Sequence, residues 1–148
     1  ADYTRLFIGV DQVLAAPWES VYFNDERLLF QEQTQQVRQW YLRYGVEPEH
    51  SRTEPDDHIG LELAFLAYLA QRGLQALEQN DPAVFEDSMA AQRGFLAEHL
   101  LKWAAAWCGL VLEHARTDFY RGVGLLTRGV LTELARLFEL EFMPEPKR

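Results

Sequence analysis

Apolar residues in this chain recur three and four positions apart in one segment after another, while the alternating pattern of a half-buried strand is scarce. From Glu26 to Tyr44 the residues Phe30, Thr34, Val37, Tyr41 and Tyr44 take that spacing, and Gln31, Glu32, Gln35, Gln36, Arg38 and Gln39 fill much of the remaining circumference. Asp25 is the expected N-cap and Gly45 the expected end of that helix. Residues 45–55, with two prolines, read as a loop. A second helix is predicted from about Pro55–Asp57 to Arg72, stopping before Gly73. Its apolar residues Ile59, Leu61, Leu63, Phe65, Leu66, Tyr68 and Leu69 point around most of the circumference, which predicts a central helix. Asp81-Pro82 opens a third helix that runs to about Leu96, and a fourth covers roughly Glu98–Ala115. Asp118 is expected to cap the last, with Phe119, Val123, Leu126, Val130, Leu134 and Leu137 as its buried stripe. Gly122, Gly124 and Gly129 weaken that helix by about 0.8–1 kcal/mol each relative to alanine, a cost that close approach of another helix would explain.

The two ends read differently. Ala1–Phe7 resembles the last turns of a helix, Gly9–Asn24 is irregular, and Pro144, Pro146, Lys147 and Arg148 are expected to fray. The chain starts at alanine, and an N-terminal portion is expected to precede it. The fold expectation is therefore all-α, one helical domain over residues 1–148.

Composition narrows the function classes. At 48% hydrophobic and 25% charged, the 148 residues can bury one substantial core without a metal or disulfide. Cys108 is the only cysteine, so an intrachain disulfide is excluded; it lies in the apolar run Trp103–Leu112, where inert packing is expected. That run, about ten residues, is short of the roughly 20 a spanning helix needs, so no membrane span is expected. No basic start followed by an apolar core marks an export signal. A net charge of −9 argues against nucleic acid, whose phosphates need clustered Lys and Arg, and against an anionic membrane surface. A partner selected by charge is basic, and the acidic excess lies in the first sixty residues.

Catalytic templates fail. Ser20, Ser51 and Ser88 are the only serines, and Ser51 beside His50 makes no triad by adjacency alone. No phosphate-cradling loop is present, and Gly122-Val-Gly124 sits mid-helix without the third glycine of a dinucleotide site. The Glu-x-x-His spacing of di-iron bundles occurs once, at Glu47/His50, in the loop. His58 and Glu62 lie one helical turn apart, but two ligands do not make a metal site, and a hydrogen bond or a satisfied histidine at the core edge accounts for them better. No catalytic residue, metal or cofactor is expected. What remains is recognition. Glu54-Pro55-Asp56-Asp57-His58 sets three carboxylates and an imidazole at a proline-fixed helix start. Capping explains one aspartate, but not Glu54, Asp56 and Asp57 together after Glu47 and Glu49. Leu6, Phe7, Pro17 and Trp18 are the apolar counterpart, for which ordinary core packing is the competing explanation.

Three segments in order carry a family resemblance. Glu54-Pro55-Asp56-Asp57-His58-Ile59-Gly60-Leu61-Glu62-Leu63 resembles the Glu-Pro-x-Asp-His signature of the TorD/DmsD/NarJ-like chaperones for molybdoenzymes. Tyr3-Thr4-Arg5-Leu6-Phe7-Ile8-Gly9 with Ala16-Pro17-Trp18-Glu19-Ser20 resembles their Leu-Phe-x-Gly segment and proline/aromatic loop. Phe95-Leu96-Ala97-Glu98-His99-Leu100-Leu101-Lys102-Trp103 resembles their Phe-x-x-x-His-Leu-x-x-Trp segment. The resemblance implies a TorD-like helical bundle without the family's further N-terminal helical block. It also implies a cytoplasmic protein, not an enzyme, that binds the twin-arginine leader of an apo-molybdoenzyme of the dimethyl sulfoxide or trimethylamine N-oxide reductase type. Such a chaperone holds its client until cofactor insertion, before export. Carried over residue by residue, leader binding falls to Tyr3, Leu6, Phe7, Pro17, Trp18, Pro55, Asp57 and His58, while His99 and Trp103 are expected to be structural. The resemblance leaves both a monomer and a domain-swapped homodimer open. Two other readings stand beside it: a generic helical protein-interaction module, and a metal-dependent helical enzyme using His58 and Glu62.

Overall fold

A computed structural model of the chain describes residues 1–9, 13–49 and 53–142. Helix α1 (Asp2–Phe7) is followed by a 3-10 helix (Glu19–Phe23), α2 (Glu32–Arg43), α3 (Ile59–Glu78) and α4 (Pro82–Phe95). A π-helical turn (Leu96–Leu100) then leads into α5 (Leu101–His114), and α6 (Asp118–Leu137) follows. Among the described residues there is no strand, and one isolated antiparallel bridge joins Trp18 to His58. The all-α expectation is met. The readings placed on His50, Ser51, Pro144, Pro146, Lys147 and Arg148 lie outside the described residues. The chain divides into two compact units, Trp18–Leu100 and Ala1–Pro17 with Leu101–Arg148.

In the first of these units α2 starts later than its periodicity predicts. Asn24 grips the preceding segment: its Oδ1 accepts from Leu28 N at 2.7 Å, and its Nδ2 donates to the Ser20 and Leu28 carbonyls. Arg27 and Phe30 take φ of 55° and 56°, a left-handed conformation no helix can run through. Phe30 is therefore exposed, and Gln31 rather than Asp25 is the N-cap. Trp40 joins Thr34, Val37 and Tyr41 on the buried face, and Gly45, at φ 67°, ends the helix as expected.

Helix α3 starts at Ile59 and runs through Gly73 rather than ending before it. A Cβ at Gly73 would lie 2.9 Å from Ser88 Oγ, and that hydroxyl donates to the Leu69 carbonyl across the α3–α4 contact. The glycine allows two helices to touch; it does not stop one. Gly73→Leu is expected to cost about 1–3 kcal/mol of stability by overpacking, measured by chemical denaturation; an unchanged midpoint would show that α4 can move aside. The buried stripe of α3 is one-sided, and Tyr68, Leu74 and Leu77 are exposed, so the helix walls the core instead of being surrounded by it. Helix α4 begins as predicted, with Asp81 Oδ1 accepting from Val84 N and Pro82 in the first turn. The core centres on Tyr41, Phe65 and Phe95, with the Phe65 and Phe95 ring centroids 4.8 Å apart.

In the other unit Asp2 ties α1 to the start of α6. Its Oδ2 accepts from Arg116 N, Thr117 N and Thr117 Oγ1, and its Oδ1 from Arg5. Thr117, not Asp118, is the N-cap of α6. Phe7 packs against Trp107 and Tyr120. Cys108 is fully buried, and burial pushes its thiol up to about 11, which suits inert packing. The predicted stripe of α6 is not its buried face. Phe119, Leu126 and Leu137 are 69%, 69% and 67% exposed, while Gly124, Leu131 and Ala135 are buried. Small residues let α6 approach α5: a Cβ at Gly124 would meet Val111 and Leu112 at 3.2 Å. Gly122 and Gly129 meet nothing within 4 Å, so only one of the three glycines serves close packing.

The continuous helical stretch Pro82–His114 is long and apolar enough, by length and composition, to pass for a membrane span, which a search for an unbroken apolar run overlooks. Its most apolar window is 61% buried inside the protein.

Candidate functional site

Four of the eight predicted site residues meet in the unit Trp18–Leu100. Trp18 and His58 form the antiparallel bridge, with their rings edge to face at 6.0 Å. Glu19 N donates to the Asp57 carbonyl at 3.0 Å and Ser20 N to Asp57 Oδ2 at 2.8 Å, so the tryptophan segment is laced to the Glu-Pro-Asp-Asp-His segment. The Trp18 indole donates to Glu54. Pro55 and Asp57 are buried, while Trp18, Glu54 and His58 are only partly so. The accessible chemistry is an indole, an imidazole and a carboxylate on one short ledge. Asp57 itself is fully buried and works here as an acceptor for the backbone.

His58 caps α3, its Nδ1 accepting from Gly60 N at 3.0 Å, so Nε2 carries the proton of the neutral ring. Burial lowers the His58 pKa below the ordinary 6.5, opposed by the nearby carboxylates Glu54 and Asp57. The folded state thus takes up this proton at lower pH than the unfolded chain. The stability due to neutral His58 is full above about 6.5 and declines as pH falls below it. His58→Gln is expected to flatten the pH dependence of unfolding between about pH 7 and 5, and an unchanged slope would remove His58 from that account.

The other four predicted residues, Tyr3, Leu6, Phe7 and Pro17, belong to the second unit. Leu6, Phe7 and Pro17 are buried; Tyr3 is 48% exposed and packs on Phe7 and Tyr120.

Sequence reasoning missed a buried polar cluster. His99 Nδ1 lies 3.0 and 3.1 Å from the two carboxylate oxygens of Glu19, and Glu62 completes a group whose ligand-type atoms lie within 4.8 Å of one another. All three are at most 2% exposed. The structure thus sets Glu62 with Glu19 and His99; His58 is not part of the group. The available signal was a lone carboxylate on the apolar side of α3. The π-helical turn carries His99, which is buried together with Leu96 and Leu100. His99 and Trp103, expected to be structural, are both buried.

Residues 1–109 match the nitrate reductase delta subunit family. The chain belongs to that family. Among its relatives, the chaperone protein TorD of Aliivibrio fischeri is 34% identical over 127 residues, covering 85% of this chain and 58% of its own length. The Tat proofreading chaperone DmsD of Salmonella paratyphi A is 33% identical over 132 residues, 88% of this chain and 57% of the relative. TorD of Vibrio cholerae is 36% identical over 107 residues, 72% and 47% respectively. The chain spans about half the length of these relatives. The matched span contains all three segments that resemble TorD and DmsD.

Proposed function

We propose that this chain acts in redox-enzyme maturation as a chaperone, binding the twin-arginine leader of an apo-molybdoenzyme in the cytoplasm and holding it until cofactor insertion. Relatives named as a Tat proofreading chaperone and as TorD support the class. The observation that carries the reading is the Trp18–His58 ledge, where the proline/aromatic segment and the Glu-Pro-Asp-Asp-His segment are bonded together. An indole beside a carboxylate and a neutral imidazole can hold a basic, apolar peptide without making or breaking a bond. Glu54, on the Trp18 indole, supplies charge; Asp57 holds the ledge in shape. Of Tyr3, Leu6, Phe7 and Pro17, the exposed Tyr3 is proposed to add apolar contact, and the buried Leu6, Phe7 and Pro17 to contribute as packing rather than by touching the peptide. The same proposal takes no membrane span and no nucleic acid as partner, and a client of the dimethyl sulfoxide or trimethylamine N-oxide reductase type.

Calorimetric titration with a twin-arginine leader peptide, its Lys-Lys variant and a scrambled control tests it. Saturable binding that the scrambled peptide lacks is expected. Equal binding of leader and scrambled peptides would favour a general interaction module, and no binding would sink the leader reading.

A further inference from the structure

Next to the ledge in sequence lies a feature that capping did not explain, the further carboxylates Glu47 and Asp56. They line one cavity of about 310 Å³. Helix α2 contributes Arg38, Tyr41 and Leu42, the loop after it contributes Glu47 and Pro48, and Asp56 closes the other side. Asp56 is 2% exposed; its Oδ2 accepts from Arg38 Nε at 2.7 Å, while its Oδ1 is shut off from solvent and accepts no hydrogen bond among the described residues. Tyr41 donates its hydroxyl to the Asp56 carbonyl at 2.8 Å. Burial first, then Glu62, Asp56, Asp57 and Glu19, holds that hydroxyl far above its ordinary pKa, so this donor is permanent and fixes the aspartate.

We propose that this cavity is a guanidinium subsite that takes one arginine side chain of a leader peptide, a proposal that rests on the leader-binding reading above. Among the described residues, two carboxylates against one internal guanidinium leave the cavity with an excess negative charge. Its apolar wall of Tyr41, Leu42 and Pro48 suits the stem of a long basic side chain, and its volume sits at the small end of ligand pockets, the size of a side chain rather than a cofactor. Arg38 already demonstrates the recognition: its guanidinium is seated on Asp56 while its side chain stays 43% exposed. The incoming guanidinium competes for Asp56 and pairs with Glu47 at the rim. A planar fork engages two carboxylates better than an ammonium does, so the subsite discriminates arginine from lysine.

Competition with Arg38 gives the proposal a signature of opposite signs. Calorimetry with a twin-arginine leader peptide and its Lys-Lys variant is to be run on the wild-type chain, Glu47→Gln and Arg38→Gln. Glu47→Gln should weaken the twin-arginine peptide about five- to tenfold and reduce its advantage over Lys-Lys, whereas Arg38→Gln should tighten it several-fold. In parallel, N-acetyl-arginine amide titrated into the 15N-labelled chain should shift the Leu42 and Glu47 amides, and Glu47→Gln should suppress that shift. Leader binding with wild-type affinity and discrimination in both variants would overturn the subsite and leave the function reading intact. Failure of the leader to bind, with the arginine amide still titrating these amides, would uphold the subsite and remove the leader reading. An arginine amide that moves neither signal would overturn the subsite.

Discussion

Replacing His99 with leucine is expected to lower the unfolding free energy by about 3–5 kcal/mol. The imidazole sits within hydrogen-bond distance of both oxygens of Glu19 and beside Glu62, and all three residues are shut away from solvent. Removing it leaves the buried Glu19 carboxylate without the imidazole that faces both its oxygens, and desolvation makes that far more costly than the same loss at a surface. A second variant separates this from lost packing. Glu19→Leu together with His99→Leu removes the pair as a unit, and replacing both partners of a buried hydrogen bond by apolar side chains is often nearly neutral. Chemical denaturation of both singles and the double should show strong positive coupling. A His99→Leu loss below about 1 kcal/mol would mean that the cluster relaxes at little cost.

Asp57→Ala is expected to cost about 1–3 kcal/mol of stability and, with it, leader affinity. The buried carboxylate accepts the Ser20 amide proton, and Ser20 is two residues from Trp18. Truncation orphans that N–H in a desolvated place, so the tryptophan segment loses one of the bonds lacing it to His58. Asp57→Asn keeps an oxygen acceptor at the same position and should retain most of both properties. Circular dichroism, thermal unfolding and a leader titration on the two variants decide between roles. If asparagine abolishes binding while leaving stability intact, Asp57 acts through its charge on the peptide rather than by holding the ledge.

The site segments were legible because their chemistry is local. A proline-fixed acidic helix start ending in histidine stands out in any reading, whereas its bridge to Trp18 had no signal in the sequence and appears only in the fold. The Glu19–Glu62–His99 cluster was not legible, because its members come from three segments and only the fold brings them together. The same limit applied to the cavity. Glu47 and Asp56 were visible as surplus acids, but nothing in their spacing shows that Arg38 and Tyr41 of α2 stand opposite them.

Sequence alone determined that the chain is helical, that Asp81-Pro82 starts one helix and Gly45 ends another, and which family the motifs resemble. These are properties of neighbouring residues, set by backbone preference, capping and periodicity. Only the tertiary structure decided that α2 waits until Glu32, that Gly73 is a contact rather than a terminus, and that α6 buries Gly124, Leu131 and Ala135 in place of Phe119, Leu126 and Leu137. Periodicity reports that a helix has an apolar side. Which side chains are buried depends on the shape of the neighbouring helix, and close approach favours the smallest residues over the most hydrophobic.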